Sequence, residues 1–355
     1  MKQPVLSGSP RVLRNEFSWS LSRDRALREC ARKYYFTHYG MWGGWERRAD
    51  PRTREIYLLK NLKTRRMWAG TVVHEAIRRS IRLLRNGQEV LPADEIVRIT
   101  LARMRADWAA SRRGSNREDP KRTPGLLEHE YDLPVTDAQW REVADRVVTC
   151  LRNFYASPFF ERLRVLEPGR WIEAEDLRAF ELPLGEESVR VWVQLDAAFR
   201  DEDGGIVIVD WKTGRSRESA DDHRAQLTCY ALYATQAFGV PIERVRLIEF
   251  NLLGGEVIQH RVGAMDIEGA RAFIQGSVLD MRALLASPDE NLALEEDFPR
   301  TADPATCRRC PFLRVCWSPG VGFTDRRAAR DAGSSCLPGD RALSRPRSRH
   351  LTRVS

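Results

Sequence analysis

Six residues spaced along this chain carry groups that together can do phosphate chemistry. Asp196 and Asp210 lie in two short apolar stretches. Lys212 follows the second of them, and His74 sits far upstream in Gly70-Thr71-Val72-Val73-His74-Glu75. Gln226 and Tyr230 are four residues apart, hence on one side of a helix. Side chains two apart on a strand share a face. In Ile206–Lys212, Asp210 and Lys212 therefore point with Ile206 and Ile208, and Trp211 points the other way with Val207 and Val209. Asp196 shares a face with Trp192 and Gln194. A hairpin through Asp201-Glu202-Asp203-Gly204-Gly205 brings the two aspartates together. Two crowded carboxylates repel unless a cation lies between them. A hard divalent ion, Mg²⁺ or Mn²⁺, fits such oxygen ligands. It would activate a water and stabilise charge building on a phosphate. Lys212 would orient that water or offset the charge. The Trp211 carbonyl is a further candidate ligand, and His74 could cap the ion with nitrogen. The Gln226/Tyr230 face would touch a phosphate or position the water, whereas Tyr233 reads as core packing. The competing reading is a hairpin end with a solvated aspartate and a structural ion pair.

Four cysteines form a second set. Cys307, Cys310 and Cys316 are clustered, and Cys30 can supply a fourth thiolate to a metal centre. Zinc sites often pair two CxxC knuckles, and here there is one. Cys150 and Cys229 read as small core hydrophobes and Cys336 as tail.

The elements that must position these groups follow from periodicity. Ser22–Phe36 predicts one helix, capped by Ser20 or Ser22, with Leu27, Cys30, Ala31 and Tyr34 inward. Residues 40–54 show no period and predict a loop. Met67–Leu84 predicts a helix with Val73, Ile77, Ile81 and Leu84 inward, and Ala93–Ala110 predicts another. Ser111–Pro124 predicts a linker or mobile loop. Thr136 with Gln139 forms a capping box for a helix whose stripe is Trp140, Val143, Val147, Leu151 and Phe154. Strands are predicted over Trp171–Leu184, Val189–Phe199 and Ile206–Trp211, then a helix over Ala225–Phe238. A hairpin of Val245–Leu252 with Glu256–Val262 and a helix over Ile267–Leu285 follow. The fold class is α/β, with a central mixed sheet flanked by helices and an N-terminal helical region.

Composition sets outer bounds. The 355 residues are 42% hydrophobic and 30% charged, with net charge +8. Thr324–Ser355 holds eight Arg and three Asp, so +5 of that charge lies in a tail that reads as disordered and the body is only +3. Charge alone therefore names no nucleic-acid partner. No stretch reaches the ~18 apolar residues of a membrane span, and Met1–Leu13 lacks a signal-peptide core. A cytoplasmic protein without membrane association is expected. The aromatics from Tyr34 to Trp45 could stack on bases, though packing of the helical region is the preferred reading.

The ordered set Gly70-x-x-x-His74, Asp196, Asp210-x-Lys212-Thr213-Gly214 and Gln226-Leu227-x-x-Tyr230 resembles the RecB-like branch of the PD-(D/E)xK nuclease superfamily. Ser20-x-Ser22, Cys30, Tyr34-Tyr35-Phe36 and the terminal cysteines resemble its iron–sulfur subgroup, which includes the AddB nuclease domain and the CRISPR-associated four-cysteine exonucleases. The resemblance spans residues 16 to 318. It implies a restriction-endonuclease-like core, with His74, Asp196 and Asp210 as ligands of Mg²⁺ or Mn²⁺, Lys212 as the catalytic lysine, and Gln226 and Tyr230 as the accessory motif. It implies a [4Fe–4S] cluster on Cys30, Cys307, Cys310 and Cys316, with zinc as the alternative, clamping the two ends of the chain. The division implied is an arm over 1–15, a helical region over 16–165, the nuclease core over 166–290, the cluster segment over 291–320 and the basic tail over 321–355. Gln194 stands where the family often has Gly, and Ala31 where it often has Pro; neither removes a reacting group. Glu173 and Glu175 are alternatives for an outer acid. The implied activity is a DNA exonuclease on single-stranded or end-containing DNA, in repair, recombination or defence. No GxxxxGK[ST] loop occurs, so a helicase or defence-complex partner would supply any motor. A DNA-end-binding module and a site-specific endonuclease are the rival readings.

Overall fold

The computed structural model describes residues 14–173, 177–214 and 220–317. Its first helix, α1 (Leu21–Glu29), starts where the Ser20 side chain accepts the Arg23 N–H. It does not continue to Phe36 as the periodicity predicts. The backbone is extended at Cys30 (φ −170°, ψ 119°), a separate helix α2 (Ala31–Tyr35) follows, and a π-turn runs over Phe36–Gly40. Leu27 packs against the core as expected, but the buried residue of α1 is Asp24. Asp24 is held by Ser277, whose hydroxyl also accepts the Trp19 indole N–H. The break is fixed from outside the helix, since the Arg32 N–H donates to the Pro299 carbonyl and the Arg32 guanidinium to that of Phe298.

Helix α3 (Pro51–Lys60) begins inside the stretch expected to be loop. Asp50 caps it, accepting the N–H groups of Arg52 and Thr53, and Pro51 occupies the first turn. After β1 (Leu62–Lys63) come the long helices α4 (Arg65–Arg85) and α5 (Ala93–Arg112). Next are β2 (Gly125–Leu126), α6 (Leu127–Glu130), α7 (Asp137–Tyr155) and α8 (Pro158–Arg164). The expected apolar faces are present: Val73, Ile77 and Ile81 of α4 and Val143, Val147, Leu151 and Phe154 of α7 are buried in one cluster. The Thr136/Gln139 capping box forms. Ser111–Pro124 is a packed connection and not a linker, because Ser111 and Asn116 are buried and the Ser111 hydroxyl accepts the Leu126 N–H at 2.8 Å.

The sheet begins with β3 (Trp171–Glu173), followed by β4 (Leu177–Leu184), β5 (Glu187–Gln194), β6 (Ala197–Arg200) and β7 (Ile206–Lys212). Helix α9 (Ala220–Phe238), β8 (Val245–Asn251), β9 (Glu256–His260) and α10 (Ala264–Arg282) complete the core. Five strands form one mixed sheet in the order β3-β6-β7-β8-β9, in which only the β7–β8 pair is parallel. Strands β4 and β5 make a separate antiparallel ribbon. The two long strands expected over 171–184 and 189–199 are therefore each divided between sheets. The second divides at Leu195-Asp196, both buried, where Asp196 leaves the ladder to accept a peptide N–H from β7.

Strand β7 is apolar on both faces because both are covered. Val207, Val209 and Trp211 pack with α4 and α7, while Ile206 and Ile208 pack with α9 and α10. The chain closes with α11 (Pro304–Arg308) and α12 (Leu313–Trp317). This last segment returns to the N-terminal helices through Phe312, which is buried with Phe36, Tyr57 and Tyr131. Arg314 pairs with Glu55 and Glu130, and Glu295 with Arg32 and Arg52. Among the described residues, no helix is long and apolar enough to cross a membrane.

Candidate active site

The site lies at the C-terminal end of β7. The β6–β7 register pairs Ala197 with Val209, which puts Asp196 and Asp210 one step beyond it, beside each other. The Asp196 Oδ2 accepts the Trp211 N–H at 2.8 Å. Its Oδ1 is 2.9 Å from Nδ1 of His74. His74 reaches this point because Gly70, one turn earlier on α4, leaves room for the end of β7. A Cβ at Gly70 would lie 3.0 Å from the Thr213 hydroxyl, so the glycine is a close-approach residue.

Asp210 is buried, with 4% of its surface exposed. Its Oδ1 accepts from the Gln226 amide at 3.2 Å and from the Tyr230 hydroxyl at 3.3 Å. Lys212 Nζ lies 2.9 Å from Oδ2 and donates to the Gln226 carbonyl at 2.9 Å. The lysine is close enough to Oδ2 for an ion pair but lies off its hydrogen-bonding direction, so Oδ2 is a buried acceptor without an aligned donor. Burial, reinforced by the charge on Asp196 and opposed by Lys212, raises the Asp210 carboxyl to about 6. Burial also raises the Tyr230 phenol, with the charges of Asp210 and Asp196 adding to it, so the hydroxyl stays a donor. Two adjacent carboxylates, one with an unaligned buried oxygen, form a donor set that accommodates a hard cation. Among divalent ions, Mg²⁺ and Mn²⁺ fit such oxygen donors.

The sequence-derived residues His74, Asp196, Asp210, Lys212, Gln226 and Tyr230 are thus brought to one place. The Trp211 ring lies on the opposite face, packed on Phe154 and Phe250, while the Trp211 backbone N–H holds Asp196. Tyr233 is core, against Phe180 and Phe238. Glu175 and the side chain of Glu173 lie outside the described residues, as does Cys336.

A cleft of about 760 Å³ opens above the aspartates. Its walls include the segment from Arg14 to Arg25, Trp42, Lys60, Arg190 and Trp192. Ahead of α1 the segment is pinned to β5 by a single β-bridge at Trp19: the Trp19 N–H donates to the Arg190 carbonyl, and the Trp192 N–H to that of Trp19, both at 2.8 Å. Burial and the charges of Lys121 and Arg23 lower the Lys60 ammonium to about 8. Lys60, Arg190 and Trp192 carry no motif spacing, and only the tertiary fold reveals them as cleft residues.

Cys30, Cys307, Cys310 and Cys316 line one small cavity with Lys33 and Arg300. Burial pushes the thiol of Cys310 up to about 12 and that of Cys316 up to about 11. Cys150 and Cys229 are buried in the two main apolar clusters, as expected. Arg314, two residues before Cys316, is committed to Glu55 and Glu130.

A mixed sheet whose central strand ends in Asp-Trp-Lys beside a second aspartate defines an α/β protein with a paired-carboxylate site. The sequence matches the family model of the PD-(D/E)XK nuclease superfamily over residues 18–317, and the chain belongs to that superfamily. Membership implies a hydrolase of the nuclease type, with DNA as the implied substrate. A search of curated proteins finds no match. Among solved structures, the crystal structure of SSO0001 is similar at 17% identity, covering 54% of this chain and 78% of that one, with a TM-score of 0.28. A likeness that low carries no argument about function.

Proposed function

We propose that this chain is a Mg²⁺- or Mn²⁺-dependent deoxyribonuclease of the RecB-like, iron–sulfur type. It acts as an exonuclease on single-stranded or end-containing DNA in repair, recombination or defence. The observation that carries the reading is the position of Asp196, Asp210 and Lys212 at the floor of a cleft walled by basic and aromatic side chains. Basic groups hold phosphates, and aromatic faces stack bases that are not paired.

His74, Asp196 and Asp210 would hold the metal, with the Trp211 carbonyl as a further ligand. When bound, the ion supplies Lewis-acid stabilisation of charge on the phosphate. Lys212, held between Asp210 and Gln226, would orient the attacking water and offset negative charge as it develops. Gln226 and Tyr230 fix Asp210 through its Oδ1, and Oδ2, beside the Lys212 ammonium, would be the oxygen that holds a cation.

The four thiols suit a [4Fe–4S] cluster, with zinc as the alternative. Thiols raised by burial give up protons only to a strongly thiophilic centre, and Lys33 and Arg300 would balance its negative charge. Such a centre would clamp Cys30 to the C-terminal segment. A helicase or defence-complex partner would open duplex DNA.

The test is degradation of end-labelled single-stranded DNA and of a closed circle with Mn²⁺, comparing anaerobically purified wild type with Lys212→Ala. Loss of linear DNA alone, abolished in the variant, supports the exonuclease. Cutting of the circle moves the assignment to an endonuclease, and DNA binding without cleavage to an end-binding module. Iron analysis of wild type against Cys30→Ala tests the cluster; equal iron in both would exclude it.

A further inference from the structure

A second group of metal-type donors lies one strand across from the acidic pair. The parallel register of β7 and β8 pairs Asp210 with Glu249. Paired residues on neighbouring strands present side chains to the same face, so Glu249 faces α9 as Asp210 does. His223 precedes Gln226 by three residues on α9 and thus shares its side of the helix. His260 ends β9 and pairs with Leu247 of β8, again on that face.

The three side chains meet. His223 Nε2 lies 2.5 Å from Glu249 Oε2, and His260 Nε2 lies 3.1 Å from the same oxygen. The imidazole centroids are 5.3 Å apart. Among the described residues, this is the group of three His, Cys, Asp or Glu side chains whose ligating atoms all lie within 4.8 Å of one another. The residues come from three elements, α9, β8 and β9, and all three side chains are partly open to solvent.

The donor chemistry differs from that of the acidic pair. Two imidazole nitrogens and one carboxylate oxygen suit zinc-type transition ions, whereas Mg²⁺ prefers oxygen. Three protein ligands with a solvent-facing side leave a fourth position open. The plainer arrangement is a carboxylate hydrogen-bonded to two histidines with no ion.

We infer that His223, Glu249 and His260 form a second metal site for a zinc-type divalent ion. The ion ties the first turns of α9 to the β8–β9 hairpin. It thereby sets the helix that carries Gln226 and Tyr230 against Asp210. The site binds its ion whether or not the chain cleaves DNA.

The test uses the full-length protein with its cysteine site occupied, cleared of loosely held metal by a chelator. Zn²⁺ is titrated in by calorimetry under saturating Mg²⁺, and bound zinc is counted by elemental analysis. His223→Ala and Glu249→Gln are compared with wild type, and His260→Gln serves as a variant that keeps a hydrogen-bonding side chain beside Glu249. Wild type should hold one zinc per chain more than the variants, or bind it at least about tenfold more tightly. Zn²⁺ should raise its melting temperature and leave theirs unmoved. Co²⁺ should give a visible ligand-field band in wild type that His260→Gln lacks. Cys316→Ala should keep the histidine-dependent equivalent, which separates this site from the thiols. Equal zinc stoichiometry and affinity in wild type and the folded His260→Gln variant would overturn the inference and leave a hydrogen-bonded network.

Discussion

Asp210→Asn should make the metal-free protein more stable than wild type at pH 7 while removing its activity. The Asp210 carboxyl ordinarily titrates at 3.8, and here burial and the neighbouring Asp196 raise it to about 6. A raised folded pKa means that the folded state keeps its proton after the unfolded chain has lost it. The associated stability is fully present below 3.8, falls as pH rises, and levels off above about 6. At ~1.4 kcal/mol per pH unit the loss at pH 7 is about 3 kcal/mol. Asparagine imitates the protonated acid and escapes that loss. Its amide nitrogen also sets a donor near Lys212 or Gln226 where an oxygen accepted, so a net gain of about 1–3 kcal/mol is expected. For a chain of this length that corresponds to about 1–4 °C in melting temperature. The assay is thermal or urea unfolding of wild type and variant, chelator-treated with the cysteine site intact, at intervals from pH 4 to 7. The gap should be under about 1 kcal/mol at pH 4 and widen through pH 6. Adding Mn²⁺ should then raise wild type and leave the variant in place, because only the native carboxylate pair binds the ion well. A gap that stays flat from pH 4 to 7, or a variant less stable than wild type at pH 7, would refute the reasoning.

Lys60→Met should weaken binding of single-stranded DNA at pH 7 and flatten the fall in affinity between pH 7 and 9. The lysine loses its charge near pH 8, and a phosphate contact needs that charge. An unchanged pH profile by fluorescence anisotropy would remove Lys60 from the DNA path. Glu128→Ala should destabilise the protein by about 1–3 kcal/mol in urea, since this buried carboxylate accepts the Arg65 N–H at 3.0 Å at the start of α4. A cost below about 0.5 kcal/mol would argue against that role. Gly44→Ala should cost about 1–3 kcal/mol, because its Cβ would lie 2.5 Å from the Tyr57 Cβ and 2.6 Å from the Thr53 carbonyl oxygen. An unshifted urea midpoint would show that this turn yields freely.

The helices legible in the sequence are those whose burial is one-sided: α4, α5 and α7 show their period because one face meets the core. Strand β7, covered on both faces, shows instead as an unbroken apolar run bounded by turn residues. The acidic site was readable because residues two apart on a strand share a face, which assigns Asp210 and Lys212 to the face opposite Trp211. What escaped was set by distant partners. Nothing in Leu21–Tyr35 announces a break at Cys30, which depends on the carbonyls of Phe298 and Pro299. The strand break at Asp196 depends on a peptide N–H fifteen residues away. Helix α3 did carry a local signal, Asp50 followed by Pro51, which the surrounding Trp, Gly and Arg obscured. The meeting of His223, Glu249 and His260 depends on the register of β8 with its neighbours and on where α9 crosses, which no spacing in the sequence encodes.

The bridge that pins Trp19 to β5 has a consequence for redesign. The reacting side chains come from α4, the start of β6, β7 and α9, whereas much of the cleft wall comes from residues 14–25, α3 and β5. Grip and reaction are thus written in largely different stretches of chain. Ahead of the Trp19 pairing the Arg14 and Glu16 side chains are exposed, whereas Asn15, Phe17 and Ser18 are tied into the fold, so those two can be exchanged while the backbone anchor is kept. A library confined to those two positions should alter DNA binding while leaving turnover near the parental value.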